Sequence, residues 1–305
     1  MDARPAALLK ELGSREGVRI GVHEAGPRPE VDPGEYDVLL SAEAGAPAPW
    51  VGFGPQQLAV GLAALTGACE QQPAAALVCA QVLRASLQVG FEAALEIESI
   101  AYSMLLASAG FKAWRAATPR RDRPAEPEPR VRIADEAGAI AIQLDRPASR
   151  NAFDAAMRDA LCEALEFALE HPDRPPVILS GAEPAFSAGG DLDEFGTAQD
   201  VGQAHLIRVQ QSPARLAHRL GDRLTARLHG ACVGAGIEVP AAAARVVAAP
   251  GSFFRLPEVS MGLIPGAGGT ASIPRRIGRH RAAYMAISGA DIDLETALAW
   301  GLVDA

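Results

Sequence analysis

Two carboxylates stand beside glycine-rich turns. Glu238 ends Gly234-Ala235-Gly236-Ile237-Glu238, and Glu258 ends Leu256-Pro257-Glu258, which runs into Gly262-Leu263-Ile264-Pro265-Gly266-Ala267-Gly268-Gly269-Thr270. A third turn, Phe186-Ser187-Ala188-Gly189-Gly190-Asp191, lies where an apolar strand gives way to a polar segment. Small residues let a ligand approach the backbone, and a helix that begins at such a turn leaves its first N–H groups unpaired. Two such turns can bind one developing oxyanion while two glutamates carry protons. Glu238 also falls in the first turn of a predicted helix, where the dipole favours any carboxylate, so position explains it as well as chemistry does. Glu258 follows a proline among Phe253, Phe254, Leu256 and Val259, surroundings that give a charge little structural purpose.

Other motifs carry less. The glycines of 262–270 are not followed by Gly-Lys-Ser/Thr and read as a tight turn before a helix rather than a phosphate loop. Ser187 lacks the G-x-S-x-G elbow of a hydrolase nucleophile, and His229 reads as a strand-end residue. Cys69, Cys79, Cys162 and Cys232 form no C-x-x-C pair and the six histidines do not cluster, so no metal site is expected. A net charge of −9 argues against a generic nucleic-acid surface. No apolar run has the length of a membrane span, and Met1-Asp2-Ala3-Arg4-Pro5 lacks the apolar core of a signal peptide; the expectation is a cytoplasmic protein with no membrane contact.

These turns need a scaffold, and the order of elements supplies one. From Val131 the pattern alternates. Residues 139–144 are strand-like, Phe153, Met157, Leu161, Leu165 and Leu169 form an apolar helical stripe, and Pro175 to Ser180 gives the next strand. Residues 118–130, rich in proline and charge, read as a linker. Upstream, residues 55–117 read as helical. Between Phe91 and Trp114, Glu92, Glu96, Ser99 and Ser103 mark a polar stripe, and Phe91, Leu95, Tyr102, Leu105 and Leu106 an apolar one. Residues 1–54 have no assignable role, with short strands expected at 18–22 and 36–40.

Residues 145–153 (Asp-Arg-Pro-Ala-Ser-Arg-Asn-Ala-Phe), the segment Pro184 to Leu192, both glutamate turns and Ala297-Leu298-Ala299-Trp300-Gly301-Leu302-Val303 together resemble the crotonase, or enoyl-CoA hydratase/isomerase, superfamily over roughly the last 160 residues, in one consistent order. The resemblance implies an α/β fold, a crotonase-like spiral of ββα units with an associated helical layer. It also implies an acyl-CoA thioester substrate, a likeness to homotrimers or hexamers, and no cofactor apart from the coenzyme A of the substrate. By the same resemblance the amides of Gly190 and Ala235 bind the thioester oxygen, Glu258 transfers the proton at the α-carbon and Glu238 holds and activates water. Arg150, Ala152, Phe186, Ala188, Asp191, Pro265 and Gly266 are the expected substrate-binding residues, with Phe195, Met261 and Leu263 as further pocket candidates. Ala235 stands where many relatives have glycine but keeps the N–H. Asp193 stands where some relatives carry a lysine toward coenzyme A, so one cation is absent, and with only Lys10 and Lys112 present arginines must supply nearly all positive charge.

Both glutamates favour an enoyl-CoA hydratase; a double-bond isomerase or a non-catalytic acyl-CoA-binding subunit are the alternatives. The N-terminal series Gln72-Pro73-Ala74-Ala75-Ala76-Leu77, Gln81-Val82-Leu83-Arg84, Glu98-Ser99-Ile100-Ala101-Tyr102 and Phe111-Lys112 is similar to the helical segment after the G-L-V turn in the family. The expected organisation is therefore a circular permutation: an N-terminal segment (1–54), a displaced C-terminal helical part (55–117), a linker (118–130) and the crotonase core (131–305). An unrelated helical extension is the other reading. About 13 extended linker residues reach at most roughly 45 Å, enough to cross a domain of this size.

Overall fold

A computed structural model of the chain describes residues 17–121 and 129–305, together with the backbone of residues 9–12. Four short strands open it: β1 (Leu9–Leu12), β2 (Ile20–His23), β3 (Val38–Ser41) and β4 (Val51–Gly52). They form one sheet in that order, antiparallel between the first two and parallel thereafter. The strands expected at 18–22 and 36–40 are present, with Val18 and Tyr36 buried just ahead of their ladders. β2 and β3 are buried along their whole length, as strands of a covered parallel sheet are. Asp37, at the entry to β3, is 1% exposed and accepts two bonds of 2.6 Å from Arg84 and one from the amide of Arg19. Burial by itself raises its pKa; the arginines outweigh that and hold its carboxyl below the usual value.

Four helices follow: α1 (Leu58–Gln71), α2 (Pro73–Ser86), α3 (Phe91–Leu106) and α4 (Ala109–Ala117). Pro73 opens α2, where its missing N–H costs nothing, and Ser108 caps α4 by accepting from the Phe111 amide. On α3, Glu92 and Glu96 face solvent, but Ser99 and Ser103, spaced on the same polar stripe, are buried. Ile100 and Met104 take the outer face instead, 59% and 56% exposed.

The chain then crosses to β5 (Val131–Glu136), β6 (Ala139–Leu144), α5 (Ala155–Glu170), β7 (Val177–Gly181), α6 (Val201–Gln210) and α7 (Pro213–Leu220). After these come β8 (Leu224–Leu228), β9 (Ala231–Val233), α8 (Ala235–Glu238), β10 (Arg245–Ala248), β11 (Phe253–Arg255), α9 (Gly269–Ile277), α10 (Arg279–Ser288), β12 (Ile292–Asp293) and α11 (Leu294–Trp300). One sheet runs β10-β8-β7-β6-β5 and a second β12-β11-β9. β8 and β9 go to different sheets before α8, and β10 and β11 repeat the step before α9. Ser187, beyond β7, bridges Cys232 of β9 and extends the pattern back one unit. This is an α/β fold of ββα units.

Asp154 caps α5 through the Met157 amide, and Met157, Leu161 and Leu165 are fully buried. Phe153 departs from the expected stripe: it precedes the cap and bridges Gly190, donating to the Gly189 carbonyl and accepting from the Asp191 amide. The N-terminal helices share one hydrophobic core with the spiral, α2 and α3 against α9, α1 and α2 against α10, and α3 against α6. The expected linker is tied down at both described ends. Arg120 donates to the carbonyls of Asp193 and Phe195, Arg121 pairs with the Asp193 carboxylate, and Arg130, 8% exposed, pairs with Asp154. Residues 122–128 lie outside the described residues. No helix among the described residues is long and apolar enough to cross a membrane.

Candidate active site

Two turns meet at backbone distance. After β9, Gly234 (φ 49°, ψ −123°) reverses the chain so that α8 begins at Ala235, and after β7 Gly189 (φ 91°) turns segment 187–191. A side chain at Gly236 would begin 2.7 Å from the Ser187 carbonyl oxygen, and one at Gly189 would begin 2.8 Å from that of Val233. The close approach is fixed by Ser187 donating to Ala231 (3.1 Å) and Val233 donating to Ser187 (3.0 Å). Neither the Gly190 nor the Ala235 amide donates to any group among the described residues, and both residues line one cavity of about 500 Å³. Two clamped, uncommitted N–H groups facing one cavity suit an oxygen that gains negative charge.

Three buried glutamates border the same cavity. Glu238, 2% exposed, ends the single turn of α8; its Oε2 accepts from the amides of Ala267 (2.7 Å) and Gly269 (2.9 Å). Glu98, also 2% exposed, reaches in from α3: Oε1 accepts from the Gly268 amide (2.7 Å), and Oε2 from the amide and hydroxyl of Thr270 (2.8 and 2.7 Å). Four successive amides at the start of α9 thus alternate between two carboxylates. Gly268 has no side chain to cap the helix, and distant glutamates serve its orphan donors and its dipole.

Glu258, in a one-turn 3-10 helix after β11, is differently placed: its Oε2 is buried with no hydrogen-bond partner. The point where a side chain at Gly234 would begin lies 2.5 Å from Glu258 Oε1 and 3.8 Å from Glu238 Oε1. Both oxygens therefore border the space that glycine leaves open, and the positive φ there independently demands glycine.

Burial raises the pKa of all three carboxyls, Glu98 to about 7, Glu258 to about 8 and Glu238 well above the ordinary value. Mutual repulsion adds to it: the charges of Glu258 and Glu98 disfavour ionisation of Glu238, and that of Glu98 disfavours ionisation of Glu258. Bonds from Thr270 and Gly268 pull Glu98 part of the way back. The cluster keeps protons at neutral pH that exposed carboxylates would have lost, the condition for acid–base work near pH 7.

The remaining expected positions divide. Asp191 and Gly266 line the cavity, as does Phe195, and Asp191 also anchors Arg146 at 2.8 Å. Phe186 does not: it is fully buried in the core, because its backbone passes the site while its side chain points the other way. Ala152 is buried behind the wall, its carbonyl accepting from Arg146. Ala188 and Arg150 are exposed and joined to each other, the Ala188 amide donating to the Arg150 carbonyl, and Pro265, Met261 and Leu263 also lie off the cavity wall. The structure adds Glu98, Tyr102 and Arg208. Glu98 had a signal, being a carboxylate on the apolar face that runs Leu95, Glu98, Tyr102. Arg208 had none, since its role depends on how α6 lies on α3.

A family model described as enoyl-CoA hydratase/isomerase matches residues 134–305. The chain belongs to the enoyl-CoA hydratase/isomerase family. It is 32% identical over 173 residues to a mevalonyl-coenzyme A hydratase of Beauveria bassiana, a match covering 54% of this chain and 62% of that protein. It is 34% identical over 174 residues to a probable enoyl-CoA hydratase of Rhodobacter capsulatus (57% and 66%) and 33% identical over 171 residues to a 2,3-dehydroadipyl-CoA hydratase of Escherichia coli (56% and 66%). The matched segment spans just under two thirds of these relatives. Among solved structures, the enoyl-CoA hydratase of Thermoplasma volcanium aligns with a TM-score of 0.54 at 31% identity, covering 57% of this chain and 70% of that one. That of Mycobacterium smegmatis aligns with a TM-score of 0.53 at 29% identity, covering 58% and 69%.

Proposed function

We propose that this protein is an enoyl-CoA hydratase, adding water reversibly across the double bond of a 2-enoyl-CoA thioester without a separate cofactor. The observation that carries the reading is the pair of glutamate oxygens, Glu258 Oε1 and Glu238 Oε1, bordering the one space beside Gly234. The thioester oxygen accepts from the amides of Gly190 and Ala235, where loss of a single donor costs about 3 to 4 kcal/mol in other enzymes. With Glu258 protonated its repulsion of Glu238 is gone and the amides of Ala267 and Gly269 favour the Glu238 carboxylate, so that water held between the two groups loses its proton to Glu238 as its oxygen attacks the β-carbon. Electron density moves to the thioester oxygen as an enolate, and Glu258, kept protonated by burial, delivers a proton to the α-carbon. Names of relatives that carry the word hydratase on acyl-CoA substrates agree with this.

A double-bond isomerase is the second reading, favoured by the partnerless Oε2 of Glu258, since one shuttling carboxylate suffices for that reaction. Retention of both carboxylates argues against a silent binding subunit. Arg120 and Arg121, set beside Asp193, bring positive charge for coenzyme A phosphates near the position that lacks the lysine. We further infer that helices 55–117 are the displaced C-terminal part of a permuted core joined by linker 118–130; Glu98 and Tyr102, reaching the cavity from α3, support this. Exposed Ile100, Met104 and Leu206 suit the helical contacts of a homotrimer or hexamer, and four free cysteines suit a reducing cytoplasm. The test is a screen of 2-enoyl-CoA thioesters of varied length and branching, following loss of the conjugated chromophore and gain of one water by mass. Binding without turnover across the screen contradicts the catalytic reading.

A further inference from the structure

One wall of the cavity carries a cation that makes no ion pair with a carboxylate among the described residues. Arg208 projects from α6 toward α3, and no carboxylate among the described residues lies within ion-pair distance of it. Among the described residues its hydrogen bonds are all made by one nitrogen: Nη1 donates to the Ser99 carbonyl (3.3 Å), Ser99 Oγ (3.0 Å) and Ser103 Oγ (3.0 Å). Its guanidinium lies over the Tyr102 ring at 4.4 Å, and Ser99 is itself braced by His205 at 2.9 Å. The side chain is therefore held by one edge and by its face, a fixed orientation that leaves its other nitrogens uncommitted beside the cavity. Burial lowers its pKa, offset in part by Tyr102 and Glu98. A half-buried arginine that makes no ion pair among the described residues leaves an electrostatic cost that an anionic ligand would offset.

The arginine lies on the reacting side of the cavity. Tyr102, the ring it covers, presses on Gly266, next to the amides that hold Glu238 and Glu98, and its phenol feels the charges of Glu258 and Glu238. The arginines placed for coenzyme A phosphates, Arg120 and Arg121, belong to a different segment beside Asp193. On the acyl-CoA reading above, the group that meets Arg208 belongs to the acyl chain, because the long pantetheine arm separates the thioester from the phosphates.

We propose that Arg208 is a specificity-determining residue that binds a carboxylate at the far end of the acyl chain, so that the preferred substrates are 2-enoyl-CoA thioesters of dicarboxylic acids. Its planar fork matches a carboxylate in two parallel hydrogen bonds, and Ser99, Ser103 and Tyr102 pre-order it for that contact.

The test compares kcat/KM of the full chain for 2-enoyl-CoA thioesters of four to eight carbons with and without a terminal carboxylate. The expected result is a preference of at least tenfold for one carboxylated chain length over its uncharged counterpart, and a loss of that preference in Arg208→Gln. Hydration of uncharged substrates with equal or greater efficiency overturns the assignment while leaving the hydratase reading intact; turnover of neither series refutes the hydratase reading instead. Arg208→Gln that weakens free coenzyme A binding, and raises KM equally for both series, assigns the arginine to a phosphate and also overturns the proposal. If the variant does not fold, the wild-type ratio decides alone.

Discussion

Glu238 and Glu258 are the same residue type, equally enclosed and neighbours across one gap, yet their surroundings differ. The start of α9 spends four amides on Glu238 and Glu98, which fixes Glu238 to within a hydrogen-bond length. The turn that bears Glu258 offers its Oε2 nothing. Burial and the charges of Glu258 and Glu98 hold the Glu238 pKa well above the ordinary value and burial does the same for Glu258, but only Glu238 has amides that fix its direction and draw its pKa part of the way back. The difference assigns roles: the anchored group orients water and the unanchored one exchanges protons.

The strongest test of that division is Glu258→Gln, which keeps size but removes the transferable proton. We expect hydration to fall by about 10³-fold or more, within the range for general acid–base catalysis, with thioester affinity nearly unchanged. Equal loss of binding and turnover would dissolve the contrast. Glu238→Gln comes next, with a loss of at least about 10²-fold in hydration; the amide oxygen can still accept from Ala267 and Gly269, so circular dichroism should match the wild type and, because the Glu238 pKa is raised, melting at neutral pH should be no lower.

Glu98→Gln should cost less than either. It removes a charge that raises the pKa of both neighbours, so the alkaline limb of the pH–rate profile moves to lower pH. An unmoved limb would mean that Glu98 only caps α9. The smallest effect concerns stability. Below about pH 4.5 Glu258 is protonated folded or unfolded; between there and about pH 8 the unfolded chain releases a proton that the folded chain keeps, so the wild type loses stability as pH rises through that window. Glu258→Gln should therefore melt higher than wild type at pH 8, by roughly 2 °C per kcal/mol, and the gap should close near pH 4. A gap that widens on acidification would show that the carboxyl is not held neutral.

Much of this site was legible because its parts are local. Glycines at 189, 190, 234 and 236 sit where the backbone turns or where two loops touch, so glycine spacing along the chain reports geometry directly. Side-chain direction was not local. Phe186 and Phe153 lie in the motifs as expected, yet one points into the core and the other precedes its helix, since strand alternation and the Asp154 cap decide both. Ser99 and Ser103 read as part of a polar stripe and proved buried because Arg208, more than a hundred residues away, bonds them. Glu98 and Tyr102 depend on α3 packing against α6 and α9, a long-range contact that periodicity within one helix does not encode.

The claim that Glu238 and Glu258 share one water is tested most directly by turnover in water labelled with heavy oxygen. Wild type should place one labelled oxygen on the β-carbon of the hydroxyacyl product, and Glu238→Gln and Glu258→Gln should each suppress that incorporation. A product in which the double bond has moved without label, or full labelling by Glu238→Gln at the wild-type rate, would contradict the account.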